Sequence, residues 1–185
     1  MEDLKLLIGQ SVIEIKKVSV LEVKADAIVN AANHSLLGGG GVDGAIHKAA
    51  GPMLLAECRT LHGCETGKAK ITKAYNLTTA KWIIHTVGPI FGQDKNEESL
   101  LESCYLECLK LAEEKKLTSI AFPCISAGVY GCPIKLSAKV AIDTIEAYLK
   151  QYKGSLTVTL ACFKDSEYEA YKAYAKEFSR QARSA

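Results

Sequence analysis

The 185 residues, 48% hydrophobic and 24% charged, have the size and balance of one compact domain that buries well over half of its unfolded surface, which excludes a disordered or fibrous chain. A net charge of +2, from 23 basic and 21 acidic residues, lacks the basic stripe that neutralising many phosphates requires, so nucleic acid is not the expected partner. No run approaches the roughly 20 apolar residues of a membrane span.

Read in chain order, Leu4 to Ile8 and Val12 to Ile15 are β-rich runs separated by Gly9 and Gln10, which predicts an antiparallel opening hairpin. The first run, behind acidic Glu2 and Asp3, is too short for a signal-peptide core. Asp26 to Asn30, with the continuous apolar run Ala27-Ile28-Val29 at its centre, is expected to form a strand buried on both faces, and polar, glycine-rich sequence follows it. Residues 42–50 place Val42, Ile46 and Ala49 at helical spacing, and Gly51-Pro52 interrupts before another helix begins. Strands are expected over Ala69 to Asn76 and Trp82 to Val87. An amphipathic helix over Glu97 to Lys116 carries Leu101, Cys104, Cys108 and Leu111 on one face.

Ser119 to Pro123 reads as a short buried strand ended by proline. From Pro133, suited to a first helical turn, a helix shows Ala138, Ala141, Ile142, Ile145 and Leu149 on one side. Leu156 to Phe163 is the last predicted strand, and a final helix presents Tyr168, Tyr171, Ala175 and Phe178 before Arg180 to Ala185, where fraying is expected. Strands alternating with helices predict a three-layer α/β/α sandwich with a mixed, largely parallel sheet, forming one domain over residues 1–185.

Seven cysteines, an odd number without a secretion signal, point to reduced thiols in the cytoplasm and read mostly as small buried apolar residues. Cys58, His62 and Cys64 lack the second half-site that a zinc centre needs, so no metal is expected.

Ligands of parallel α/β sheets collect outside the carboxyl ends of the strands. After Ile28-Val29 the chain reads Asn30-Ala31-Ala32-Asn33, then Gly38 to Gly41, then Val42-Asp43 at a helix start. Consecutive glycines suit either a flexible surface loop or a close approach of backbone to ligand, and amides at a helix N-terminus receive an anion such as a diphosphate. A second glycine-bearing loop, Ser126-Ala127-Gly128-Val129-Tyr130-Gly131, follows the Ser119 strand, and together the two make a cleft. Neither fits a Walker A loop or the Rossmann fingerprint. The polar groups expected there are Asn30, Asn33, Asp43, His47 and Tyr130. Asp43 suits the helix dipole as well as catalysis, His47 one turn on is either a packing residue or an acid/base, and Tyr130 either covers a sugar or fills core. His34, His62 and His85 have no evident partner and are read as structural or exposed.

Asp26-Ala-Ile-Val-Asn-Ala-Ala-Asn33, Gly38-Gly-Gly-Gly-Val-Asp-Gly-Ala-Ile-His47 and Ile125-Ser-Ala-Gly-Val-Tyr-Gly131 together resemble the macrodomain family, in particular its MacroD-type branch. The resemblance covers nearly the whole chain. It implies a mixed sheet between helices, no cofactor, and ADP-ribose or O-acetyl-ADP-ribose as ligand. It also implies mono-ADP-ribosylated proteins as partners, with removal of the modification from acidic side chains or deacetylation of O-acetyl-ADP-ribose as the activity.

By this resemblance Asn33 holds the distal ribose, Asp43 orients or activates a water near its anomeric carbon, and His47 supports that helix and loop. Gly39, Gly40, Gly41 and Val42, with Ser126, Ala127, Gly128, Val129 and Tyr130, surround the diphosphate and distal ribose. Asn30 and Ala32 join the ligand site, Phe163 stacks on adenine, and Ser19 and Val20 lie at the adenine end. The family has a Gly-Asp-Ile-Thr segment whose Asp accepts from the adenine amino group. This chain has Ser19 at that place, in Val18-Ser19-Val20-Leu21, where an uncharged acceptor makes a weaker bond. The Cys/His insertion of the zinc-dependent branch is absent from the sequence. A reader that binds ADP-ribosylated protein without turnover is the competing function; Asn33, Asp43 and His47, which a reader does not need, favour the hydrolase. A module binding RNA is disfavoured by the weak net charge.

Overall fold

The computed structural model describes residues 3–184. Strands β1 (Leu4–Ile8) and β2 (Ser11–Lys17) form the expected hairpin, closed by Gly9 at φ 60°, a conformation open to glycine at little cost. Strands β3 (Ala27–Ala32), β5 (Trp82–Val87), β6 (Ser119–Phe122) and β7 (Thr157–Cys162) run parallel to β2, and β4 (Ala69–Lys73) closes the far edge antiparallel to β5. The order across the sheet is β1-β2-β7-β6-β3-β5-β4.

Helices α1 (Gly41–Ala50) and α2 (Pro52–Arg59) pack on one face through a cluster that includes Ile28, Ile46, Ala50, Leu54 and Ile83. Helices α3 (Glu97–Glu114), α4 (Ile134–Lys150) and α5 (Asp165–Ser184) cover the other through a larger cluster that includes Val29, Leu101, Tyr105, Ile142 and Tyr171. β3 serves both: Ala27 and Val29 point into the larger cluster, Ile28 and Ala32 into the smaller. Burial on both faces is why its sequence does not alternate. The mixed sheet between two helical layers is the architecture expected from the sequence.

Several details differ from expectation. On α1 the buried residues are Asp43, Ile46 and Ala50, while Ala49 is exposed, because the face turned to the sheet includes the Asp43 carboxylate. β4 stops at Lys73, since Tyr75 adopts φ 50°, a left-handed turn that ends extended pairing. Pro133 is the N-cap of α4, at ψ 134°, and not part of its first turn. A 3-10 turn over Val20–Glu22 follows β2. α5 continues to Ser184 without fraying at Arg180, as no glycine or proline interrupts it and Phe178 packs against the larger cluster. Met1, Glu2 and Ala185 lie outside the described residues.

One feature of the topology sets the place of the site. β3 and β6 are neighbours but pair only through Ala27 with Ile120 and Ile28 with Ala121. Beyond those pairs β3 continues along β5 to Ala32 and leads to α1 on one face, while β6 ends at Phe122 and leads to α4 on the other. Loops diverging from adjacent parallel strands open a crevice at the carboxyl edge, the position at which open α/β sheets bind ligands.

Candidate functional site

The first wall of the crevice begins at Asn33, directly after β3. Its side chain folds the loop back on itself: Nδ2 donates to Gly38 O at 3.0 Å, and Oδ1 accepts from Ser35 N at 3.1 Å and Ser35 Oγ at 2.6 Å. Leu36, fully buried, ties the loop to the smaller core. Gly39 passes directly above the polar groups, since a β-carbon there would stand 3.2 Å from both Asn33 Nδ2 and Asp43 Oδ2. Helix α1 then starts from Gly40, and no side chain caps it. Its first-turn N–H groups therefore remain available to an anion.

Asp43, only 4% exposed, is held from beneath. Asn30 Nδ2 donates to its Oδ1 at 2.9 Å, and His47 Nε2 stands 3.5 Å from the same oxygen. His47 Nε2 is buried and forms no hydrogen bond among the described residues, so its influence on Asp43 is electrostatic. Anchoring Oδ1 leaves Oδ2 as the oxygen turned toward Gly39. Asn30 is fully buried, and its Nδ2 also lies 3.1 Å from Nδ1 of His85. His85, read from sequence as having no partner, is thus part of the site's foundation. Its signal was a histidine inside the apolar strand Ile83-Ile84-His85-Thr86-Val87, where a buried polar group needs a hydrogen-bond partner.

The second wall is the loop of residues 124–132. Ser126 takes φ 63°, uncommon for a residue with a β-carbon, and is fixed there by neighbours. Its Oγ donates to Pro89 O at 2.8 Å and its carbonyl accepts from Cys132 N at 2.8 Å, while Phe91 N donates to Tyr130 O at 2.8 Å. Gly88, after β5, is the support that sequence reading missed: a β-carbon there would lie 2.3 Å from Ser126 Oγ. Among the described residues the backbone N–H groups of Gly128, Val129 and Tyr130 have no protein partner. Val129 is fully exposed, Tyr130 half-buried, and a β-carbon at Gly128 would meet nothing within 4 Å.

The far end of the crevice lies over β2 and β7. Lys17 pairs with Cys162, and Val18 N donates to Cys162 O at 3.0 Å, so Ser19 and Phe163 leave the sheet side by side. Phe163 is 71% exposed and Val20 is buried. Ser19 Oγ accepts from Leu21 N at 3.3 Å, capping the 3-10 turn.

The other histidines serve elsewhere. His34 Nδ1 lies 3.1 Å from Cys64 O, and His62 is exposed. All seven cysteines are free, and all but Cys124 are buried. Among the described residues no group of three or more His, Cys, Asp or Glu is placed to hold a metal ion. No helix among them is long and apolar enough to cross a membrane. A separate groove of about 330 Å³ on the outer side of α1 and α2, lined by Leu37, His47, Lys48, Gly51, Pro52 and Leu55, reaches His47 without involving the 124–132 loop.

A crevice at the divergence of two parallel strands, lined by unclaimed amides and one buried carboxylate, marks an α/β domain with an anion-receiving cleft at its carboxyl edge. Residues 29–141 match the Macro domain family, and the chain belongs to it. A Macro domain-containing protein of Methanosarcina mazei is 49% identical over 95% of this chain and 94% of its own length. Human ADP-ribose glycohydrolase MACROD2 is 50% identical over 87% of this chain, which spans only 38% of that longer protein. Among solved structures, a mutant Oceanobacillus iheyensis macrodomain with ADPR aligns with TM-score 0.92 at 40% identity, covering 97% of this chain and 100% of that one.

Proposed function

We propose that residues 1–185 act as one macro domain that binds ADP-ribose and hydrolyses mono-ADP-ribosyl esters on acidic side chains of proteins, deacetylates O-acetyl-ADP-ribose, or does both. The observation that carries the reading is Asp43. A buried carboxylate with one oxygen anchored and the other under Gly39, beside Asn33, is an arrangement for holding a water against a sugar and is more than binding alone requires. The name of human MACROD2, an ADP-ribose glycohydrolase, and the ADPR bound by the Oceanobacillus protein support the same substrate class.

The ligand would lie along the carboxyl edge. Phe163 would stack on adenine, with Ser19 and Val20 beside it. The amides of Gly40, Gly41 and Val42 would face those of Ser126, Gly128, Val129 and Tyr130 across the diphosphate, while Ala127, whose N–H donates to Cys124 O at 3.3 Å, would line the same loop. Asn33 would hold the distal ribose, Tyr130 would pack on it, and Ala32 would form the floor. Asn30, expected from the resemblance to join the ligand site, is fully buried beneath Asp43 and would act on the ligand through that carboxylate without touching it. From β2 to β3 this track crosses three strand spacings, about 14 Å, a length suited to an extended nucleotide diphosphate sugar. For a glycosyl ester, water held by Asp43 attacks the anomeric carbon, the bond to the carboxylate oxygen breaks, and the products are ADP-ribose and the free acidic side chain. His47 would support the helix and loop. Seven free cysteines suit a reducing compartment, and we place the chain in the cytoplasm.

The test is Asp43→Ala. Single-turnover release of ADP-ribose from a glutamate-linked substrate should slow by roughly 10²-fold or more, the scale of a lost positioned acid/base group, while calorimetric ADP-ribose affinity changes much less. Wild-type protein that binds tightly yet turns over neither ester would make the chain a reader; wild-type turnover in the variant would move the chemistry away from Asp43.

A further inference from the structure

An asparagine amide can face a neighbour either way round, and the identity of the atom that Asn30 turns toward Asp43 decides whether the contact attracts or repels. We propose that His85 and Thr72, neither of which the reaction requires for ligand contact, are positioning residues that lock the Asn30 amide with its NH2 toward Asp43. The inference rests on the hydrolase reading above.

The four groups form a row beneath α1 and α2, crossing from β4 to the reaction centre. Asn30 and His85 are register partners on the paired strands β3 and β5, and both are fully buried. His85 Nε2 lies 2.9 Å from Thr72 Oγ1, and Thr72 Oγ1 donates to Lys73 O at 3.1 Å. Cys58 Sγ, 3.9 Å away, completes the surroundings of the ring.

The direction of each bond follows from these contacts. Burial, reinforced by nearby His47, pushes the imidazole down to about 3, so near neutral pH it carries one proton and offers one donor and one acceptor. The Thr72 hydroxyl spends its hydrogen on a carbonyl that can only accept, so toward the ring its oxygen accepts and Nε2 carries the proton. Nδ1 is then a bare lone pair. It accepts one Asn30 hydrogen at 3.1 Å, and Asp43 Oδ1 accepts the other at 2.9 Å.

Turning the amide over would set its carbonyl oxygen against both the Nδ1 lone pair and the carboxylate. The backbone carbonyl of Lys73 therefore sets, through three side chains, whether Asp43 Oδ1 is anchored, with Oδ2 remaining for water. Asn30 Oδ1 has no partner among the described residues. Such a loss is tolerable where the opposite orientation would oppose a charge.

The expected results separate positioning from simple support of the core. In wild-type protein, long-range nitrogen–proton NMR should find His85 as the Nε2–H tautomer across neutral pH, with the Asn30 side-chain hydrogens protected from exchange. Thr72→Val keeps shape but removes the hydroxyl, freeing the ring to take the other tautomer. It should lower single-turnover hydrolysis roughly tenfold, as expected on weakening one hydrogen bond to a charged group, with ADP-ribose affinity within about twofold. His85→Leu should do the same, and His85→Asn, whose Oδ1 takes the place of Nδ1 as acceptor, should recover most of the loss.

An Nδ1–H tautomer overturns the proposal, as does unchanged turnover in a folded Thr72→Val protein. Affinity and turnover falling together in step with melting temperature, without recovery in His85→Asn, would reduce the row to core support and also overturn it. If the wild type hydrolyses neither ester, the hydrolase reading fails by itself, and the tautomer and exchange measurements still decide whether the amide is locked.

Discussion

Replacing Gly44 with alanine tests whether the loop above Asp43 is the working wall of the crevice. In a helix interior alanine is favoured over glycine by about 1 kcal/mol, so α1 itself gains. The added β-carbon would stand 2.4 Å from Gly39 O, where ordinary van der Waals contact begins at 3.4 Å. That neighbour is backbone, so no side chain can swing aside and the loop must lift from the helix. The required shift is about 1 Å, a misplacement that can cost about 10²-fold in rate. Because Gly39 also sits over Asn33 Nδ2 and Asp43 Oδ2, its displacement disturbs the cover of both polar groups at once. Thermal unfolding should remain within a few degrees of wild type as helix gain offsets loop strain, roughly 1 kcal/mol against a similar cost. Calorimetric ADP-ribose affinity should fall by about tenfold, and single-turnover hydrolysis should fall further. A folded Gly44→Ala protein with unchanged affinity and turnover would refute the placement of the loop over the reaction centre.

Two further outcomes probe the ends of the ligand track. Gly128→Glu places a charged side chain where a β-carbon meets nothing within 4 Å; the fold should persist, and ADP-ribose affinity should drop more than about tenfold, or about 1.4 kcal/mol, by calorimetry. Ser19→Asp supplies a charge-assisted acceptor at the adenine end and retains an oxygen for Leu21 N, so affinity should tighten by about 1 kcal/mol; equal or weaker binding in the same titration would place the adenine elsewhere.

The two glycine-bearing loops were legible in the sequence because each follows a predicted buried strand and precedes a helix, a repetition that a merely flexible loop does not explain, and the structure brings both to one sheet edge. What the sequence concealed were partnerships formed across the sheet. His85 looked solitary since Asn30 is 55 residues away and Thr72 lies on another strand. Gly88 shows its purpose only when Ser126 arrives beside it from β6. Apolar spacing sets Ala49 on the inward face of α1 for a related reason: it gives no credit to a buried carboxylate, yet Asp43 lies on that face with Ile46 and Ala50. A three-residue 3-10 turn such as Val20–Glu22 has too few residues to establish any period. Tyr75 is a β-former by composition, and only its left-handed backbone ends β4.

The two walls of the crevice are rooted in different cores. The wall bearing Asp43 rides on α1, which packs through Ile46 and Ala50 into the smaller cluster; the wall bearing Ser126 leads into α4, which packs through Ala138 and Ala141 into the larger. β3, β5, β6 and β7 each send side chains into both cores, but the strands from which the two walls spring, β3 and β6, are joined by just two residue pairs. The aperture between the walls is thus adjustable from a distance. Enlarging or trimming a side chain in one core moves one jaw while the other stays in register with the sheet, so close relatives with the same loop motifs can be tuned to wider or narrower ligands by residues that never touch them.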